Sequence, residues 1–244
     1  MASINSRYAF KLGPRLVGLA GAAFIVLVVL TSAPAAKNEI DQGWRESFPV
    51  NKTNLTDRGR STYFILEPGF QLRLEHGKEA LTITVLNETK LVDGVRTRVV
   101  EEREFKDGKL AEVSKNYFAI DRTTLDVYYF GEDVDMYENG KVSGHEGAWL
   151  SGVKGAKFGL MIPGKPIGGD KYYQENAPGV ARDRAEIVST AEDFNVPAGT
   201  FKNCLHTRES SEIEPAVEDK WYAPNVGLIK EDNMVLVRVG KNTR

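Results

Sequence analysis

Four acidic residues fall within seven positions of the stretch FGEDVDMYENGKV (130–142): Glu132, Asp133, Asp135 and Glu138. Clustered carboxylates can hold calcium, work as an acid and base pair, or sit at a solvated hairpin tip. A calcium loop of the helix-loop-helix kind requires oxygen ligands at positions 1, 3 and 5, glycine at 6 and a carboxylate at 12. Counted from Asp133, these last three positions hold Tyr137, Glu138 and Gly144, so the pattern fails in three places. Read as a strand ending in Asn139-Gly140, the same stretch turns Val134 and Met136 to one face and Asp133, Asp135 and Tyr137 to the other. Asp133 and Asp135 then stand about 7 Å apart, two residues' rise, which permits a shared calcium without requiring one.

Other chemical constellations are weaker. GLMIPGKP (159–166) approaches a phosphate-binding loop, but Pro166 stands where Ser or Thr must ligate magnesium, and KPIGGD is a poor helix start. His76, His145 and His206 are the only histidines, and none makes a zinc-type spacing with Cys204, the only cysteine. No GxSxG elbow occurs. Cys204, between apolar neighbours, reads as a small buried hydrophobe. Asn51, Asn54 and Asn87 head N-x-T triplets, which matter only in a eukaryotic secretory pathway.

The elements that must position these residues are strands. From Tyr63 the chain alternates at period two, is rich in Val, Ile, Thr, Tyr and Phe, and is punctuated by Asp93-Gly94 and Asp107-Gly108. Three antiparallel strands over roughly 80–92, 95–106 and 109–120 follow from those turns. With a two-residue turn at 107–108, Phe105 faces Leu110, Arg103 faces Glu112 and Glu101 faces Ser114. Val99, Glu101, Arg103 and Phe105 share a face. If it looks inward, Arg103, Glu112 and Glu101 form a partly buried cluster able to hold a polar head group; otherwise they are an ion pair on the wet face. One bulge would exchange the faces.

Residues 144–169 carry eight glycines and include Trp149, which must pack on the sheet or on a ligand. This stretch is either a long loop or a set of short irregular strands. ARDRAEIVSTAEDF (181–194) fits strand or helix, VPAGTFKNC forms a hairpin, and two or three short strands close the chain. The expected fold is mainly β: an antiparallel curved sheet or incomplete barrel with a long Gly-rich loop, preceded by a signal peptide.

The ends and the charge bound the setting. Arg7, Lys11 and Arg15 precede an apolar run from Leu16 to Leu30, then TSAPAA, the three regions of a secretory signal with Ala33 and Ala35 at the cleavage positions. The 21 uncharged residues from Leu16 to Ala36 are also long enough for an uncleaved anchor. The expected organisation is a signal peptide over 1–35, a polar lead-in over 36–60 and a single β domain over 61–240. Beyond residue 35 there are 29 Lys and Arg against 34 Asp and Glu. Such a surface makes nucleic acid a poor partner. Membrane contact is expected only through an uncleaved N-terminal segment.

VPAGTFKNCLHT and DKWYAPNVGLIKED carry a resemblance. Pro197 to Phe201, then Tyr222, Ala223, Pro224, Val226, Gly227, Leu228 and Lys230, resemble the PAGTF and YYAPGVGLVK segments of exported bacterial β proteins, with Trp221 and Asn225 as departures. The resemblance spans roughly 185–239. It implies a curved sheet or incomplete barrel, lipocalin-like or lipoprotein-carrier-like, in the periplasm or outside the cell, and carries no catalytic residues over. Trp221 and Tyr222 can cover an open barrel end.

Three functions remain in view. The leading one is a non-enzymatic binding or carrier module without a cofactor, holding a small apolar or amphipathic ligand through Trp149, Glu101, Arg103, Glu112, Trp221 and Tyr222. A hydrolase using Asp133 and Asp135, or Glu101 and Glu102, with calcium, is the second. A structural envelope protein is the third. The concave face discriminates: an apolar cavity favours a carrier, converging carboxylates an enzyme, a filled core a structural role.

Overall fold

A computed structural model describes residues 43–213 and 215–241. The signal segment and residues 36–42 of the lead-in lie outside the described residues. Strands make up most of the described chain, and its only helical element is the 3-10 turn at Lys52–Asn54. In chain order the strands are β1 (Leu55–Thr56), β2 (Phe70–His76), β3 (Glu79–Val92), β4 (Val95–Lys106), β5 (Lys109–Asp121), β6 (Val127–Glu138), β7 (Lys141–Gly144) and β8 (Trp149–Leu150). The second half adds β9 (Lys157–Ile162), β10 (Lys171–Tyr173), β11 (Glu175–Asn176), β12 (Asp183–Val196), β13 (Gly199–Ser211), β14 (Val217–Ala223), β15 (Gly227–Glu231) and β16 (Met234–Lys241).

The hairpin turns are chemically determined. Asp93-Gly94, Asp107-Gly108 and Asn139-Gly140 all have positive φ at both residues. That is the I′ geometry that matches strand twist, and Asp, Asn and Gly tolerate it. The path through the sheet is β10-β12-β13-β14-β15-β16-β2-β3-β4-β5-β6-β9-β11, with β1 on β5 and β7 and β8 on β6. This antiparallel sheet curls into a nearly closed barrel with one unsealed seam. The ambiguous segment 181–194 is strand within β12, paired with β13.

One continuous extended segment crosses the seam. Its first half, β10, pairs with β12, while its second half, β11, pairs with β9. Gln174 stands where the partner changes: its backbone N–H donates to Asp183 O at 2.8 Å. A Cβ on Gly159 would lie 2.2 Å from Gln174 O, so β9 can approach the switch only with glycine there. Glycines in 144–169 thus serve close approach as well as turning, and the stretch contains β8 and β9 laid on β6 rather than one open loop.

From residue 43 the lead-in crosses the outside of the sheet. Tyr129 lines the interior, so Tyr128 and Phe130 point outward; Phe48 packs on Tyr128 at 6.0 Å, and Phe158 stacks on Phe130 at 5.0 Å. Arg45 meets the free edge of β10, its N–H donating to Lys171 O and its carbonyl accepting from Tyr173. Segment 59–66 then enters one end of the barrel, burying Leu66 and placing Phe64 edge-on to Phe118 at 4.9 Å. That end is plugged by apolar side chains.

Candidate functional site

The barrel encloses a cavity of about 570 Å³. Its plugged end is lined by Phe64, Phe70, Ile83, Val100, Phe118 and Met161. At the other end, toward the Asp107-Gly108 and Asn139-Gly140 turns, the lining becomes acidic, with Glu104, Glu112 and Glu138. The lining is therefore apolar at the plugged end and grows acidic toward those turns, with Glu102 opposite Ile83 and Glu132 opposite Asn116 in between.

The acidic end follows from strand alternation and one bulge. Val100, Glu102, Glu104 and Lys106 of β4 face inward, while Val99, Glu101, Arg103 and Phe105 face outward. Phe105 does pair with Leu110, as two-residue turn geometry requires. A bulge then shifts the register, setting Glu104 opposite Glu112, Arg103 opposite Val113 and Glu101 opposite Lys115. The expected pairing of Arg103 with Glu112 and of Glu101 with Ser114 is therefore corrected: Ala111 is the extra residue. Glu101 and Arg103 form only a loose outer pair at 3.8 Å. Glu112 lines the cavity.

Two inward carboxylates opposite each other are costly. Burial pushes the Glu104 carboxyl well above the usual range, reinforced by Glu112 and then Glu231. Across the barrel, Lys220 of β14 is buried among three carboxylates, Glu231 at 3.3 Å, Glu209 at 3.4 Å and Glu218 at 3.8 Å. Glu209 also accepts from the Gln174 amide at 3.0 Å, the Thr207 hydroxyl at 3.2 Å and the Tyr222 hydroxyl at 3.4 Å. Lysine and glutamate positions on β14 and β15 thus build a buried polar wall with more negative than positive groups.

The remaining expected site residues are dispersed. Tyr222 lines the cavity. Its neighbour Trp221 must face out, where its indole N–H donates to Glu192 at 2.8 Å and its ring stacks on His206 at 4.4 Å. The pair cannot jointly cover a barrel end. Trp149 is buried against Tyr129, ring centroids 5.5 Å apart, in a core cluster rather than in the cavity lining.

Asp133 and Asp135 lie on the outer face of β6. Asp133 accepts from the Lys90 ammonium at 2.8 Å and the Tyr117 hydroxyl at 2.5 Å. Burial raises its carboxyl, but these two donors outweigh burial and hold it below the usual range. Asp135 faces His145 at 3.0 Å. Among the described residues, no group of three or more His, Cys, Asp or Glu is placed to hold a metal ion. Cys204 is buried, its thiol pushed up to about 11 by burial and then by Asp193 and Glu192.

Sequence reasoning missed Glu104, Lys220, Glu231 and Gln174 as site residues. The available signal was alternation: Glu218, Lys220 and Tyr222 recur at period two on one face of β14. Among the described residues no helix is long and apolar enough to cross a membrane. No family model, no curated protein and no solved structure matches the chain.

Proposed function

We propose that the protein is an exported binding or carrier barrel that holds a small amphipathic ligand in its interior. The observation that carries this reading is the cavity of about 570 Å³, within the usual range for small-molecule sites and lined by aromatic and aliphatic side chains at its closed end. The basic, apolar and small-residue order of 1–35 supports export to the periplasm or beyond. The C-terminal resemblance to exported, lipocalin-like β proteins supports the same setting.

Native mass spectrometry of the protein purified from its source tests the reading. A bound mass, released on denaturation, is expected. Empty protein in every preparation, with no displaceable binding of an apolar fluorophore, overturns it.

A second reading draws on Glu104 and Glu112, paired across β4 and β5, with burial favouring the neutral form of Glu104: hydrolysis with Glu104 as acid. Recovery of the ligand as cleaved products, abolished in Glu104→Gln, would select it over a carrier.

A further inference from the structure

Resting on the carrier reading, we infer that the ligand is a cationic amphiphile, with an amine or ammonium head in the acidic end of the cavity among Glu104, Glu112 and Glu231 and an apolar body on the Phe64 and Phe118 side. The lining holds nine carboxylates and two lysines, Lys106 and Lys220. Lys220 already has carboxylates of Glu209, Glu218 and Glu231 within 3.8 Å. An anionic head would add to this excess, whereas an ammonium offsets it.

A second observation points the same way. Gln174, 2 % exposed and lining the cavity, gives its amide N–H groups to Glu209 and Met161, but its Oε1 has no hydrogen-bond donor among the described residues. Glu231, 3 % exposed and also lining the cavity, meets Lys220 at 3.3 Å, yet neither of its carboxylate oxygens receives a hydrogen bond among the described residues. These are buried acceptors short of donors. An ammonium carries up to three donors and no acceptor, the complement of such a wall. Buried acceptors left without donors are otherwise an uncompensated cost.

Proton linkage accompanies this selectivity. Glu104 is faced by Glu112 from β5 and Glu231 from β15, with Glu102 and Lys106 on its own strand, and burial with these acids favours its neutral form. A cation entering the acidic end favours the ionised form, so binding releases a proton and strengthens as pH rises.

Dodecylamine, dodecanol and dodecanoate, matched in chain and differing in head, supply the test by calorimetric titration into the full-length protein at two pH values. Dodecylamine should bind at least tenfold more tightly than dodecanol, dodecanoate least, and the amine preference should widen at higher pH. Glu104→Gln with Glu231→Gln should erase the preference of amine over alcohol. Glu112→Gln should weaken amine binding alone, and it decides the matter where the double variant does not fold. Equal binding of amine and alcohol overturns the cationic inference and leaves the carrier reading standing. An amine preference that survives in these variants also overturns it, by placing the amine elsewhere. Absence of binding by all three, together with empty native protein, overturns both.

Discussion

Two buried lysine- or arginine-centred clusters behave oppositely. Arg98, at the apolar end, is 3 % exposed and fully engaged. Its guanidinium donates to the Asp57 carboxylate at 2.5 Å, the Asp57 carbonyl at 2.9 Å and the Glu88 carbonyl at 3.2 Å. The Asp57 carboxylate also accepts from Arg96 at 3.1 Å, so two guanidinium groups close on one carboxylate and tie the lead-in to β4. Lys220, at the other end, has three carboxylates around one ammonium. Cations gather on one carboxylate where the cluster ties segments of the fold together, whereas carboxylates gather on one ammonium where the cluster borders the cavity.

Substitution should separate the two. Arg98→Leu leaves Asp57 buried without its main partner and is expected to cost about 3 to 5 kcal/mol in urea unfolding, the range for breaking a buried pair. A loss under about 1 kcal/mol would remove the structural side of the contrast. Lys220→Met is expected to cost about 3 kcal/mol near neutral pH. A loss under about 1 kcal/mol would mean that the ammonium is not needed to hold the three carboxylates together.

Glu104→Gln should act in the opposite direction. The folded-state pKa of Glu104 is raised, so its contribution to stability is full below the unfolded value near 4.5 and is lost as pH rises through the folded value. Glutamine keeps the neutral form at every pH. The variant should therefore melt above the wild type by an amount that grows from acid toward neutral pH, about 2 to 4 °C for each kcal/mol recovered in a chain of this size. Equal melting curves across that range would place Glu104 in water.

The smallest effect is expected on the outer face. Asp133→Asn removes a partly exposed pair with Lys90 and should change stability by no more than about 1 kcal/mol. It should also leave calcium titrations of the protein unchanged. Micromolar calcium binding, lost in the variant, would move recognition from the cavity to the outside of β6.

The contrast was only half legible in the sequence. Period-two alternation and the Asp-Gly and Asn-Gly turns locate β3 to β6 within a residue or two, because turn chemistry and side-chain direction are local. The face of the acidic residues was not, because it depends on a bulge at Ala111 that no composition signal marks. With that single extra residue, Glu104 rather than Arg103 meets Glu112. Nothing in EDKW or KEDN marks Lys220 and Glu231 as buried, since only pairing across β14 and β15 reveals it. For Trp149 the choice between sheet and ligand stayed open in the sequence because β6, which it packs on, lies elsewhere in the chain.

The pairing of β16 with β2 has a consequence for how the molecule can come into being. Leu236 lies opposite Leu74 and Val239 opposite Leu72, so the first long strand of the barrel finds one of its two neighbours only in the last eight strand residues of the chain. A chain growing or emerging from its N-terminus cannot seal this edge early, and Phe70–His76 stays open to any other strand until residue 241 is present. Contacts this distant in sequence make the closing step slow. Loss of β16 would leave two sticky edges, on β2 and β15, and convert the barrel into a template for chain-to-chain pairing.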